Sequence, residues 1–359
     1  MPGWRHCGGD LIAKTLTETA GKDNGLVVEE RKTVTLQPRK LQKLCVIIPG
    51  LNEAENLPLL YGELTRILGQ SEWVLEIVFV DDGSSDSTLA TCVRLNQKDS
   101  RFQYVSLSRN FGHQRALTAG LDMASGDAVV IMDADLQDPP EVVLQMIEVW
   151  QQGVDVVYGQ RRSREGETWL KKFTAKLFYR MMRILSGTKI PEDTGDFRLM
   201  DIRVVEELRK LREQSRFIRG LVSWLGFEQK PVFYDRKPRY AGTTKYPFWR
   251  MVRFAWDGIA TFSAMPLRLA TLFGTLLSCM AFVLTLYYIL RKVYFDDFIK
   301  GWASIMVAVL AVGGVQLLVT GIVGEYLAKA FEELKDRPLY IVRESSRPFP
   351  RTGKTSNIL

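Results

Sequence analysis

Val129-Val130-Ile131-Met132-Asp133-Ala134-Asp135-Leu136-Gln137-Asp138-Pro139-Pro140-Glu141 is the stretch whose reading decides the fold. An apolar run of strand length stops at carboxylates and then at two prolines that open a helix. Such a unit puts Asp133 and Asp135 on the loop at the carboxyl end of a parallel strand, where open α/β sheets bind ligands. Two hard oxygen ligands this close, with Gln137 behind them, suit an octahedral Mg²⁺ or Mn²⁺ that keeps positions free for substrate phosphates. Asp and Pro after a strand are also ordinary turn formers, so the neighbouring segments have to decide.

Outward from this stretch, strand and helix patterns alternate. Strands are expected at Leu44–Pro49, Leu75–Val80, Gln103–Leu107, Ala128–Met132 and Val154–Tyr158, with helices at Glu53–Leu68, at His113–Ala124 and from Pro140. Repeated β-α units predict a mostly parallel, doubly wound sheet. Asn52-Glu53 follows the first strand and Asp81-Asp82 the second. Carboxylates at strand ends accept hydrogen bonds from a nucleotide's ribose hydroxyls or base N–H groups. A helix cap accounts for Asp86 and a turn for Gly83, but neither accounts for the pair before the glycine. Arg109-Asn110-Phe111-Gly112-His113-Gln114-Arg115 leads into the third helix, either as a phosphate-binding helix start or as a plain connection. His113 has no local partner and reads as structural.

The net charge is +7 with 46% hydrophobic residues, and the basic balance fits either nucleic acid or anionic lipid. No nucleic-acid module pattern is present, and the positive charge gathers beside two apolar runs, which favours lipid. Cys7, Cys45, Cys92 and Cys279 form no CxxC pair and fit reduced cytosolic thiols. Met1–Lys43 reads as a polar extension with no apolar signal core.

Over Gly166–Ser186, Trp169, Phe173, Leu177, Met181 and Leu185 fall on one helical face and Lys171, Lys172, Lys176, Arg180 and Arg183 on the rest. That describes an interfacial helix on an anionic membrane, or a surface helix packed on its own domain. Asp193–Met200 reads as a tight polar turn carrying Asp196 and Arg198. Arg216, Arg219, Arg236, Arg239 and Lys245 follow; singly they are surface charges, and converging they would clamp an anion. Residues 246–264 form a second aromatic and basic candidate for the interface. Leu269–Leu290 and Trp302–Gly324 are free of charge, each roughly long enough to span a bilayer. With spans at 267–290 and 302–324 joined by a short loop, they predict a transmembrane hairpin. Lys and Arg before the first span and after the second put both ends, including a tail over 325–359, in the cytosol.

A cytosolic diphosphate and metal site held against a membrane points to transfer of a sugar from a nucleotide sugar to a lipid-borne phosphate. The metal would neutralise the leaving group. A phosphate monoester with a second pKa near ~6 arrives largely dianionic and needs alignment more than a base. Arg161, Arg198 and Lys245 are candidates to provide it.

Cys45–Glu53, Asp81–Asp86, Asn110–Gly120, Met132–Glu141, Gly195–Met200 and Gly242–Tyr246 together resemble the family 2 glycosyltransferases of GT-A (Rossmann-like) fold. The match is to the polyprenyl-phosphate glycosyltransferases of the bactoprenol glucosyltransferase type, relatives of dolichol-phosphate mannose synthase, and covers about Leu44 to Arg343. The resemblance implies that Pro49, Asn52, Glu53, Asp81, Asp82 and Asp133 face the nucleotide. It implies that Asp133, Asp135 and Gln137 surround the metal, that Arg161 and Arg198 grip phosphates, and that Asp196 lies near the acceptor as a base. It further implies inversion, a homotetramer, and a bacterial-type inner membrane. Gly50-Leu51 and Gly242-Thr243-Thr244-Lys245-Tyr246 depart from common relatives. Asp193–Arg198 favours UDP-glucose over GDP-mannose or UDP-aminoarabinose. A processive polysaccharide synthase would carry a Gln-x-x-Arg-Trp string, absent here, and a non-catalytic membrane-anchored protein would not keep carboxylates at three strand ends.

Overall fold

The computed structural model describes residues 38–161, 194–235, 265–295 and 301–350. All belong to one compact unit, Leu36–Leu359. The polar extension up to residue 37, the helix expected at 166–186, Lys245 and the segment 246–264 lie outside the described residues.

The first four strands are β1 (Lys43–Gly50), β2 (Val74–Asp81), β3 (Phe102–Leu107) and β4 (Ala128–Ile131). They form the parallel half of the sheet, with β1 between β2 and β4 and β3 beyond β2. The connecting helices are α1 (Asn56–Leu68), α2 (Thr88–Lys98) and α3 (His113–Met123), and α4 (Pro140–Gln151) follows β4. Leu57, Leu60, Leu64 and Leu68 recur at helical spacing along α1 and are all buried, as an apolar stripe facing a sheet must be. α4 starts with Pro140 and Glu141 in its first turn, where a missing N–H costs nothing and a negative charge meets the helix dipole.

Beyond β4 the sheet is mixed. β6 (Thr194–Asp201) runs antiparallel between β4 and β5 (Val156–Arg161), and β7 (Gln229–Tyr234) closes that edge parallel to β5. The order is β7-β5-β6-β4-β1-β2-β3-β8. From Thr194 on, the polar turn expected over Asp193–Met200 is therefore part of an internal strand, buried from Asp196 to Met200; Asp193 lies outside the described residues. Phe197 and Leu199 enter one core cluster and Met200 the other, while Asp196 and Arg198 take alternate positions, as the two-residue period of a strand requires. α5 (Ile202–Lys210) and α6 (Ile218–Trp224) follow. The Asp201 side chain caps α5 by accepting from Arg203 N.

Two long helices, α7 (Met265–Phe295) and α8 (Trp302–Leu334), touch each other. They leave large apolar side chains exposed, among them Phe282 at 71% and Leu317 at 76%. Among the described residues, no helix is long and apolar enough to cross a membrane. Parts of both charge-free stretches have side chains outside that set, so the described residues bear out the paired helices and not the transmembrane hairpin.

The region expected to be a tail returns to the sheet. Leu339 and Tyr340 are buried, and β8 (Val342–Ser345) pairs antiparallel with β3. Arg347 donates to Glu76 Oε1 and to the carbonyl of Met123, each at 2.5 Å. The buried carboxylate of Asp122 receives the Tyr340 hydroxyl and both terminal nitrogens of Arg212, so this return is fixed by charge-assisted bonds as well as by the strand pairing.

Candidate functional site

The loops at the carboxyl ends of β1, β2 and β3 are laced together. Asn52 N donates to Ser84 Oγ at 2.9 Å, and Asn52 Oδ1 accepts from Ser85 N at 2.9 Å. Glu53 N donates to Thr88 Oγ1 at 2.9 Å, and Glu53 Oε2 accepts from Asn56 Nδ2 at 2.7 Å. Gly83, with φ of +71°, passes so close to Arg109 that a Cβ would stand 2.4 Å from its carbonyl carbon; only glycine fits there without strain. Pro49 is buried at the end of β1 beside Val80.

Asp81 and Asp82 sit at the predicted strand end but are only 1% and 4% exposed. Asp81 accepts from Ser84 N at 3.0 Å and Ser106 Oγ at 2.7 Å. Asp82 accepts from Phe111 N at 2.7 Å and Gly112 N at 2.9 Å. Burial raises the Asp82 carboxyl above its ordinary range, opposed by those two N–H groups. Their visible work is to hold the loops that would surround a nucleotide; a carboxylate oxygen keeps a second lone pair for a ligand.

The loop after β4 carries Asp133 and Asp135, with Leu136 at a φ of +58° and Gln137 buried behind them at 7% exposure. Gln137 N lies 3.3 Å from Asp135 Oδ1. Asp138, buried, accepts from the Tyr234 hydroxyl at 2.7 Å, and Tyr234 stacks edge-on against Phe197. The Arg161 guanidinium reaches the same tyrosine hydroxyl, yet its Nε is buried without a hydrogen-bond partner. A buried unpaired cationic donor is costly and suits an incoming anion.

Asp196 brings the remaining groups together. Its carboxylate meets His113 Nε2 at 3.1 Å, Gln114 Nε2 at 3.2 Å, and Arg219 through Nε at 2.8 Å and Nη2 at 3.3 Å. Burial would raise this carboxyl, but the His113 hydrogen bond and the charges of Arg219 and Arg198 outweigh it and hold it well below the usual range. A carboxylate held that low is a poor proton acceptor, so the geometry argues against the base implied for Asp196. Arg198 is 3% exposed and donates to the carbonyls of Gly195 at 3.1 Å and Asp196 at 3.3 Å. Burial brings its pKa down to about 10 against the opposing charge of Asp196. It braces the end of β6 from inside instead of reaching for a phosphate. Arg216 is likewise internal, donating to Thr118 Oγ1 at 3.2 Å.

His113 Nε2 also lies 3.8 Å from Asp133 Oδ1, which joins the two halves of the site. His113 is held above its ordinary pKa: burial works against this, and the hydrogen bond and charge of Asp196 prevail. The Asp133 carboxyl is pushed up to about 6, first by loss of solvation and then by Asp138, Asp196 and Asp135, with His113 opposing. The folded state thus holds this proton more tightly than the unfolded chain, and stability is lost as pH rises from about 4 through about 6. Asp133→Asn accordingly raises the melting temperature at pH 7 in EDTA by a few degrees, and the gain shrinks as pH falls toward 4. Equal melting temperatures at both pH values would show that Asp133 is not strained by its neighbours.

The structure therefore gathers Asp133, Asp135, Arg161, Asp196 and Arg198 around the ends of β4, β5 and β6, with Asn52, Glu53, Asp81 and Asp82 at the adjoining strand ends. Sequence reasoning set His113 aside and did not single out Gln114, Asp138 or Tyr234. His113 and Asp196 are 83 positions apart, and no local pattern announces that pairing.

A family model, Glycosyl transferase family 2, matches residues 45–209. The chain is 45% identical over 302 residues to an uncharacterized glycosyltransferase, sll0501, of Synechocystis, covering 84% of this chain and 95% of that one. It is 39% identical over 308 residues to an SfII prophage-derived bactoprenol glucosyl transferase of Shigella flexneri, covering 86% of this chain and all of the relative. Among solved structures it resembles a glucosyl-3-phosphoglycerate synthase from Mycobacterium tuberculosis in complex with Mn²⁺, UDP and phosphoglyceric acid. That likeness has a TM-score of 0.44 at 19% identity and covers 61% of this chain and 77% of the other.

Proposed function

Since the chain belongs to glycosyl transferase family 2, we propose that it transfers a sugar, glucose from UDP-glucose, to the phosphate of a polyprenyl phosphate at the cytosolic face of a membrane. The observation that carries this reading is the 39% identity to a bactoprenol glucosyl transferase over that protein's whole length. The site supports it, because carboxylates crowd one mouth together with His113, Arg161 and Arg219.

The donor set fits a divalent cation, Mg²⁺ or Mn²⁺, whose charge would relieve the repulsion that pushes Asp133 up to about 6. Among the described residues no three His, Cys, Asp or Glu side chains form a metal cage. Asp133 and Asp135 would hold the ion, Gln137 would back them, and the other positions would fall to substrate oxygens. Such an ion supplies charge neutralisation to a leaving diphosphate.

The protein's own groups orient the partners. Asn52, Glu53, Asp81 and Asp82 shape the nucleoside end of the cleft, and the unpaired Nε of Arg161 offers a donor to a phosphate oxygen. Arg219, paired with Asp196, and His113 put positive charge where a dianionic acceptor must approach. Acceptor oxygen attacks the anomeric carbon as the bond to the diphosphate breaks, inverting the centre, and alignment contributes more than proton removal. Lys245 completes the phosphate contacts in this reading.

The apolar side chains left open on α7 and α8 support placing these helices in lipid as a hairpin, since exposed apolar surface on this scale marks a membrane or protein contact. Both termini then lie in the cytoplasm of a bacterial-type cell, and the hairpins of a homotetramer support one another.

Radiolabelled UDP-glucose, GDP-mannose and UDP-aminoarabinose, each offered with polyprenyl phosphate, test the donor. Lipid-extractable label from UDP-glucose alone is expected. Label from another donor alone would reassign the sugar, and polymer in place of a single-sugar lipid would mean a processive enzyme.

A further inference from the structure

A line of hydrogen bonds runs from the end of α8 to the Asp196 carboxylate. In the last turn of α8, Glu333 Oε1 accepts from Gln214 N at 2.8 Å, and Gln214 Nε2 donates to the Arg337 carbonyl just past the helix at 2.5 Å. Gln214 belongs to the connection between α5 and α6, and its own carbonyl meets Arg115 Nη2 of α3 at 3.5 Å. That connection ends at Ile218, whose N–H donates to Gln114 Oε1 at 2.8 Å. Gln114 Nε2 reaches Asp196 Oδ2 at 3.2 Å, beside the bonds of Arg219 and His113 to the same carboxylate. Both ends of the Gln114 amide are used, so its orientation is fixed. The returning segment adds a second hold, with Ser108 N donating to the Ile341 carbonyl at 2.9 Å, five positions before His113.

The segments that lead into His113 of α3 and Arg219 of α6 are thus both bonded to the chain of and beyond α8. We propose that Gln114 and Gln214 are positioning residues that set the Asp196–His113–Arg219 cluster relative to the end of α8, and so fix where the acceptor phosphate docks. The inference rests on the acceptor reading of this mouth given above. It adds that the helix pair with the exposed apolar side chains registers the acceptor side of the site. Among the described residues, the Gln114 and Gln214 side chains make no hydrogen bond to the loops after β1 and β2; the segment between Ser108 and His113 does reach them, through Phe111 N and Gly112 N on Asp82.

The test uses the full chain in lipid nanodiscs, with UDP-glucose and polyprenyl phosphate varied separately. Gln214→Ala, at a half-exposed residue, raises the acceptor KM about three- to tenfold, the size expected from losing one or two hydrogen bonds. The donor KM and the melting temperature stay where they were. Glu333→Ala behaves alike, whereas Glu333→Gln, which keeps an oxygen for Gln214 N, restores the wild-type acceptor KM. Gln114→Leu lowers acceptor kcat/KM further, again with the donor KM unchanged. An unchanged acceptor KM in both alanine variants overturns the inference, and so does a parallel loss for donor and acceptor with a lowered melting temperature. Absence of any lipid product from the wild-type chain overturns the functional reading and this inference together, whereas wild-type turnover with indifferent variants overturns only the inference.

Discussion

Replacing Asp135 by alanine lowers sugar transfer by about a thousandfold or more while the protein keeps its fold and melting temperature. Asp135 lies on the loop after β4 and takes no part in either core cluster, so its removal creates no cavity. What it removes is one of the two carboxylates that would hold a cation against the donor diphosphate, and without that charge the leaving group departs unneutralised. Circular dichroism and thermal melting check the fold, and label in the lipid fraction checks turnover. A variant within tenfold of wild type would take the carboxylate pair out of the account.

The second large effect falls on stability. Asp196→Ala leaves the nearly fully buried Arg198 without its anion and frees Arg219 and His113 from their common partner. Breaking a buried ion cluster by removing one member costs about 3–5 kcal/mol, measurable by chemical denaturation, and activity falls with it. Asp196→Asn keeps an oxygen for Arg219 and costs less. Because Asp196 is held below the ordinary carboxylate range, the stability it contributes is present above the unfolded pKa of about 3.9 and is lost only as pH falls through the depressed folded value. The gap between wild type and Asp196→Asn therefore persists from pH 7 down to about 4 and narrows only below. A gap that instead widened as pH fell through about 6 would mean that the fold raises this carboxyl and leaves it a candidate base.

The first four strands were legible because each is a short apolar run flanked by turn residues, and their carboxylates stood out where the runs stop. β6 was not, because Asp196 and Arg198 made Thr194–Asp201 look like a turn. The alternation Asp-Phe-Arg-Leu carried the strand signal all the same, with the charged pair on one side and Phe197 and Leu199 in the core. Pro231 hid β7, which tolerates it as an edge strand. β8 is four residues long and pairs with a strand more than 230 positions earlier, so only the folded chain reveals it. The charged partners followed the same rule. Asp133 and Asp135 advertise themselves locally, whereas the bonds of Asp196 to His113 and Arg219, and of Asp122 to Arg212 and Tyr340, exist only once the sheet has formed.

The proposed transfer requires a carboxylate-held cation and a lipid phosphate acting together on one sugar. The most direct measurement is UDP release from UDP-glucose by the full-length protein, with and without polyprenyl phosphate, in Mn²⁺ and in EDTA. The account predicts release only when Mn²⁺ and polyprenyl phosphate are both present, in step with the appearance of glucosylated lipid; equal release in EDTA, or release indifferent to the lipid, would contradict it.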